Sequence, residues 1–372
     1  MAVRGTKAES SLFHWLALAL TPGVGARTYR RLLEAFGTPE AVFQASAADL
    51  GRVPRLHRTA REALTRFDRG PRVAEELEAI RRKGFHLVTL PDEEYPARLK
   101  EIFDPPPVLW VAGDLRPVDL AAVAIVGSRG ATDWGRQTSA QLAGELAAAG
   151  VTVVSGAALG IDAAAHKGAL EAGGRTIGIL GCGLDVVYPR PNQDLLRRIP
   201  EQGALITEFP LGTEPKPGHF PQRNRIISGL CVGVVVVEAG EKSGALITAR
   251  TALEQNREVM AVPGRAGALK SRGTNALLKE GATLIESGRD VIELIGRQLG
   301  AAAAKPAEAP KPGPVLTEDE RMVLEALGEE PVHVDALGRK LGLTPPKLAP
   351  ILLNMELCGL VRQLPGMRYI RN

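Results

Sequence analysis

The chain has 372 residues, 45% of them hydrophobic but only 4% aromatic, with a formal charge of +4 and a pI of about 9.0. That length supports two or three domains with aliphatic cores, and the mild basic balance admits a nucleic-acid partner without requiring one. There is no charged-then-apolar leader, no apolar run long enough for a bilayer, and only three scattered cysteines (Cys182, Cys231, Cys358) without metal-ligand spacing; a soluble protein of the reducing cytoplasm is expected, with no membrane or metal role.

Residues 1–70 read as short helices. Leu12, Trp15, Leu16, Leu18 and Ala19 share one face at helical spacing. The turn Thr21-Pro22-Gly23-Val24-Gly25 follows, then a helix over Ala26–Phe36 bearing Arg27, Arg30 and Arg31. This is a helix–hairpin–helix pattern, whose turn N–H groups can hold a phosphate; a packing module without DNA contact fits the same residues equally. A second copy near Val53–Leu64 lacks the glycines. Residues 71–299 open with a helix over Pro71–Lys83, a strand over His86–Leu90, the rigid connection Asp104-Pro105-Pro106-Pro107 and a strand over Val108–Ala112, both strands expected towards one edge of the sheet that follows. From there strand and helix alternate, with strands expected at Val123–Val126, Val151–Val154, Thr176–Leu180, Ala204–Thr207, Val232–Val237 and Glu258–Val262. That alternation predicts an α/β fold, a parallel sheet with helices on both faces and ligands beyond the C-terminal strand ends. Residues 300–315 are rich in Ala, Pro and Lys without apolar periodicity, the pattern of a linker. In residues 316–372, Thr317 caps a helix to Leu327 with Glu320 completing a capping box. Helices over Val334–Leu341 and Pro345–Cys358 and a hairpin about Pro365-Gly366 then complete a winged helix. Its helix Pro345–Cys358 carries chiefly Lys347, which favours a protein contact over DNA binding.

The polar clusters fall in the turns after strands. Gly127-Ser128-Arg129 follows the first strand of the alternation and precedes a helix, so free N–H groups, the helix dipole and a guanidinium are expected to converge on an anion. Ser155-Gly156 repeats the pattern after the second strand, with Asp162 placed to cap and His166 read as structural. Arg190 follows a rigid proline. The densest cluster is Gly218–Gly229, where His219, Phe220, Arg223, Asn224 and Arg225 interleave charge with an aromatic, as suits a single strand; Arg225 and Phe220 stand out as contacts and Arg223 as a loop brace. Lys242-Ser243-Gly244 forms another small-residue turn at a helix start, short of a Walker A loop, so no ATP hydrolysis is expected.

Taken together, Gly127–Arg129, Ser155-Gly156, Gly160–Asp162, Gly183–Pro189, Gly218–Gly229, Lys242–Thr248 and Ser271–Gly281 resemble the DNA-processing protein A family, DprA, also called Smf. The resemblance implies an extended Rossmann-like domain flanked by a helix–hairpin–helix (SAM-like) domain and a winged helix, with no catalytic residues and no cofactor. It implies binding of single-stranded DNA, homodimer formation and loading of a RecA-type recombinase during natural transformation. Arg129 and Arg190 match basic contact positions, with Lys242 and His219–Arg225 as further contacts, and Leu159 stands where many members have a basic residue. Asn275, Leu278 and Leu284 match the self-contact region, and Arg250, Leu253 and Glu258 the recombinase-contact region. The alternative is an enzyme on a related fold that cleaves the glycosidic bond of nucleoside monophosphates; it expects a glutamate near the position of Arg250.

Overall fold

The computed structural model describes residues 6–66, 69–299, 318–327, 332–357, 361–364 and 366–371. The chain divides into two compact units, Met1–Ala307 and Glu308–Asn372.

The first unit begins with six helices: α1 (Thr6–Ala19), α2 (Ala26–Phe36), α3 (Pro39–Gln44), α4 (Ala47–Arg52), α5 (Arg58–Arg66) and α6 (Arg69–Arg82). Thr38 and Ser46 cap α3 and α4, accepting from Ala41 N and Asp49 N, both at 3.2 Å. Next come β1 (His86–Thr89), α7 (Ala97–Lys100), β2 (Val108–Gly113), β3 (Ala122–Val126), α8 (Asp133–Ala148), β4 (Thr152–Ser155), α9 (Ile161–Glu171) and β5 (Thr176–Ile179). The remaining elements of this unit are α10 (Gln193–Gln202), β6 (Gly203–Thr207), α11 (His219–Leu230), β7 (Gly233–Val236), α12 (Gly244–Glu254), β8 (Glu258–Ala261), α13 (Arg272–Lys279), β9 (Thr283–Leu284) and α14 (Gly288–Leu299).

These strands form one nine-stranded sheet in the order β1-β2-β6-β5-β4-β3-β7-β8-β9. β1–β2 and β2–β6 are antiparallel, and every other pairing is parallel. The fold is thus an extended Rossmann-like sheet. β3 shows why: its five residues are all buried, and the two-residue period divides them between two cores. Ala122, Ala124 and Val126 pack with Ile226 and Ile227 of α11 and Ala245 and Ala249 of α12. Val123 and Ile125 pack with Leu142 and Leu146 of α8, Ala165 of α9 and Val291 of α14.

The N-terminal helices close on β2. Trp15, Leu16, Tyr29 and Leu32 share a core with Val108 and Trp110. The Trp110 indole donates to Glu76 Oε1 at 2.8 Å, and the same oxygen accepts from Leu211 N at 2.9 Å, joining α6, the sheet and the loop after β6 through one carboxylate.

The second unit holds α15 (Glu318–Ala326), β10 (Val332–His333), α16 (Val334–Leu341), α17 (Pro345–Leu357), β11 (Val361–Leu364) and β12 (Arg368–Arg371), with sheet order β10-β12-β11. This is a winged helix with a core of Val323, Leu337, Leu348, Leu352, Met355 and Val361. Glu320 accepts from the Asn354 amide at 2.6 Å, fastening α15 to α17. The expected linker Gly300–Pro314, the Thr317 cap, Cys358 and Pro365 of the hairpin turn lie outside the described residues.

Candidate nucleic-acid interface

The strand order reverses between β3 and β7, and at such a point the connections part and leave a crevice beyond the strand ends. A groove of about 890 Å³ opens there. The turn after β3 (Gly127–Gly130) and the heads of α11 (Phe220, Arg223, Asn224) and α12 (Lys242–Ala245) build it, with Tyr188, Leu269 and Lys270 among the other lining residues.

Arg223 forms its floor. The side chain is buried, and Nη1 donates to the carbonyls of Gly156, beyond β4, and Ile179, at the end of β5. A Cβ at Gly156 would run into this guanidinium, so only glycine fits. Burial lowers the Arg223 pKa to about 10, opposed by the Asp162 carboxylate, so the group stays cationic at neutral pH. Asp162, itself buried, accepts from Ala158 N at 3.4 Å; burial raises its pKa, with Arg223 the main opposing charge. Gly160 (φ +81°) lets the head of α9 meet the β3 turn, where Ile161 N donates to Ser128 O at 3.3 Å.

The anion site expected at the head of the helix after Arg129 is filled from within. Glu238, buried just beyond β7, accepts from Thr132 N at 3.2 Å and from the Thr132 hydroxyl at 2.5 Å, while Thr132 Oγ1 accepts from Gly135 N at 3.0 Å. The N-terminus of α8 therefore already holds a carboxylate, and a second anion there would meet its charge. Neither α11 nor α12, whose first turns reach the groove, has an acidic residue there. Lys242 and the Ser243 N-cap stand at α12, the Ser243 oxygen accepting from Ala245 N at 3.3 Å.

Arg129 is exposed, and its guanidinium lies 4.8 Å from the centroid of the Phe220 ring, which is 5.7 Å from that of Tyr188. Lys270 reaches the Gly130 carbonyl across the mouth of the groove. The charged groups lining the groove are thus Arg129, Arg223, Lys242 and Lys270 against one carboxylate, Asp162. Gly127, Ser128, Phe220, Asn224, Ser243 and Gly244 line it with them.

Other residues singled out from the sequence sit elsewhere. The Ser155 hydroxyl is buried and donates to Ile125 O at 2.6 Å, a tie between β4 and β3 rather than a groove contact. Arg225 is buried on the opposite face of α11, paired with Glu208 and 3.7 Å from Asp104. Two helical positions separate it from Arg223, a turn of about 200°, so both cannot face the groove. His219 braces the loop, Nδ1 3.1 Å from Gly181 O and its ring 4.3 Å from Phe209. Arg190 is exposed at the head of a short 3-10 turn and does not line the groove. Asn275 holds both backbone groups of Gly264, at 3.0 and 3.1 Å. Leu278 packs half-buried on the core, whereas Leu284 on edge strand β9 is 50% exposed. Arg250 and Leu253 are exposed on α12, and Glu258 is half-buried on β8. Tyr188 and Lys270 escape a sequence reading: Tyr188 stands beside the more conspicuous Arg190, and Lys270 one residue before the Ser271–Gly281 motif.

Among the described residues no group of three or more His, Cys, Asp or Glu could hold a metal ion, and no helix is long and apolar enough to cross a membrane.

A Rossmann-like sheet with a cation-lined groove at its switch point, flanked in sequence by a helix–hairpin–helix module and a winged helix, defines a class of nucleic-acid-handling proteins. Comparison with known proteins makes the class specific. Residues 86–296 match the family model described as DNA recombination-mediator protein A, residues 9–79 a DprA-like N-terminal HHH domain and residues 306–367 a DprA winged helix domain. The chain belongs to the DNA recombination-mediator protein A family. It is 38% identical to Protein Smf of Escherichia coli over 295 residues, covering 78% of this chain and 79% of that one. It is 42% identical to the DNA processing protein DprA of Bacillus subtilis over 213 residues, covering 57% and 72%. Its structure is similar to that of DprA from Streptococcus pneumoniae, with a TM-score of 0.67 and 34% identity over 76% of this chain and 97% of that one. It is also similar to DNA processing protein A from Helicobacter pylori, solved for its single-stranded DNA binding mode, with a TM-score of 0.52 and 32% identity over 57% and 96%.

His166 supplies a test of the scaffold beneath the groove. The Thr176 hydroxyl donates to Val153 O at 2.7 Å, so its oxygen accepts the His166 Nδ1 proton, also at 2.7 Å, and leaves Nε2 buried without a partner. Burial, helped by the Arg223 charge, lowers the pKa from 6.5 to about 3. The folded pKa lies below the unfolded one, so as pH falls below 6.5 the unfolded chain takes up a proton that the folded chain refuses, and stability is lost. The thermal midpoint should fall as pH drops from about 7.5 to 5.5, and His166→Gln should flatten that fall whatever its own cost at pH 7.5. A variant that keeps the full slope in melting curves would clear His166 as the cause.

Proposed function

We propose that this chain is a single-stranded DNA-binding recombination mediator that protects incoming DNA and loads a RecA-type recombinase during natural transformation. It works as a homodimer and without a catalytic step of its own. The observation that carries the reading is the groove at the switch point, where four cations face one buried carboxylate beside an aromatic pair and two helix heads free of acidic residues. Phosphates meet Arg129, Lys242 and Lys270, and a base stacks at Phe220 and Tyr188. Support also comes from family membership and from the likeness to the Helicobacter pylori protein, whose structure concerns single-stranded DNA binding. The hydrolase alternative lacks comparable support: Arg250 stands where its acid is expected, and Asp162 is buried.

Arg129→Ala should weaken binding of a labelled oligonucleotide about tenfold to a hundredfold, the value of a charge-assisted contact of about 1.5–3 kcal/mol, while the melting temperature barely moves. Arg129→Lys should recover part of it, since an ammonium cannot grip two phosphate oxygens in a fork. The log–log salt slope should shrink by about 0.7 for each phosphate that is no longer neutralised. Fluorescence anisotropy at several salt concentrations reads all three, and unchanged affinity in an Arg129→Ala/Lys242→Ala double variant would remove the groove as the DNA site.

The dimer reading rests on edge strand β9, where Leu284 gives an exposed apolar centre. Leu284→Glu should yield a folded monomer by light scattering with weaker DNA binding, and a persisting dimer would refute the assignment. Leu253, 58% exposed on α12, supports a recombinase contact on the outer surface of the same domain. Leu253→Arg should leave oligonucleotide affinity intact and impair assembly of recombinase filaments on coated DNA; normal assembly would sink that contact.

A further inference from the structure

A second cavity, of about 640 Å³, borders the groove and shares Pro221 of α11 with it. The head of α2 (Gly25–Thr28) and the loop Phe103–Asp104 line its other side. Phe103 is 71% exposed, the most exposed large apolar side chain among the described residues. A phenylalanine in solvent ordinarily folds onto the nearest apolar surface, because each buried Å² of ring is worth about 25 cal/mol. Here it is held out. Arg30 donates to the Phe103 carbonyl, and the guanidiniums of Arg30 and Arg27 lie 5.1 and 6.0 Å from the ring centroid. The next residue, Asp104, is fixed between Arg27 at 3.3 Å and Arg225 at 3.7 Å.

Resting on the reading of the groove as a strand site, we infer that Phe103 is a second stacking platform for single-stranded nucleic acid. A strand leaving the groove crosses Pro221 and lays a base on the Phe103 ring, which α2 and Asp104 hold in place beforehand. Any base has a π face, so the platform adds length to the site without adding sequence preference. The charges around it are largely paired, and Glu254 adds a carboxylate to the cavity wall. Arg27 pairs with Asp104, Arg30 with Glu34 at 2.7 Å, and Glu101 with Arg257 at 3.1 Å. The platform therefore contributes stacking and leaves phosphate neutralisation to Arg129 and the lysines. The helix–hairpin–helix arginines, in this arrangement, hold an aromatic for the strand instead of gripping the strand themselves.

The test compares a strand of about 6 nucleotides, confined to the groove, with one of about 20 that reaches past Pro221. Phe103→Ala and Phe103→Leu should bind the short strand as the parent does and lose roughly tenfold on the long one, with the salt slope unchanged because neither variant removes a cation. Emission from Phe103→Trp, measured above the parent's background, should be quenched by the long strand only. Equal long-strand affinity in both variants together with an unquenched indole would overturn the platform. Arg129→Ala run in parallel separates the two readings: if it loses both strands while the Phe103 variants are normal, the groove stands and the platform falls. If it binds both strands while the Phe103→Trp indole is quenched, the groove falls and the platform stands.

Discussion

The Arg223 guanidinium ties α11 to the strand ends beneath the groove. A buried cation needs acceptors for its donors, and here the end of β5 and the residue beyond β4 both supply carbonyls to Nη1, while the buried Nε has no hydrogen-bond partner. That contact sets the height of α11 above the sheet, and α11 in turn presents Phe220 and Asn224 to the groove and Arg225 to the opposite side. The constraint propagates into the sequence: Gly156 must lack a side chain because the guanidinium occupies its place. Asp162 lies near enough to steady the charge without forming a hydrogen-bonded pair with it, which leaves Arg223 a cation on the groove floor.

A second buried charge does the complementary work. Glu238 reaches from the end of β7 to the Thr132 cap of α8 and so joins the two halves of the sheet where they diverge. It also removes the α8 N-terminus from the set of open anion sites. The consequence is a groove whose cations are the buried Arg223 and the exposed Arg129, Lys242 and Lys270, with no open site at the head of α8. Side chains of that kind suit a ligand that is long, flexible and repetitive, since no single phosphate must sit in one deep cradle.

Helix α11 also links the groove to the N-terminal helices. On its far side Arg225 and Asp104 continue to Arg27 at the head of α2, and Phe103 rides on that chain of charges. The helical module is thus docked by an apolar core around Trp110 and by a polar seam that ends beside the groove. Removing the seam from water costs desolvation, raising the pKa of Glu208 against the pull of Arg225. Its return is orientation: it decides which way the hairpin arginines point.

The sequence by itself determined the α/β class, most of the strand positions, the winged helix and the turns that carry polar residues. Each of these depends on local periodicity or on glycine and proline within a few residues, and β3 with its five apolar positions is the clearest case. The same local logic found Arg129, Phe220 and Lys242. What it could not supply is the direction in which a side chain points once distant elements meet. Arg223 and Arg225 are both arginines in one cluster, yet a helical turn of about 200° sends one to the groove and the other to a buried pair. Glu238 lies 106 residues from Thr132, so nothing local reveals that it fills the helix head. Phe103 and Lys270 belong to loops without a pattern and Tyr188 to a motif that does not single it out, and only the packing of α2, α11 and the β3 turn brings them to one surface. Contacts between residues far apart in the chain are selected by the sheet order and the burial of charge, and those are properties of the tertiary structure.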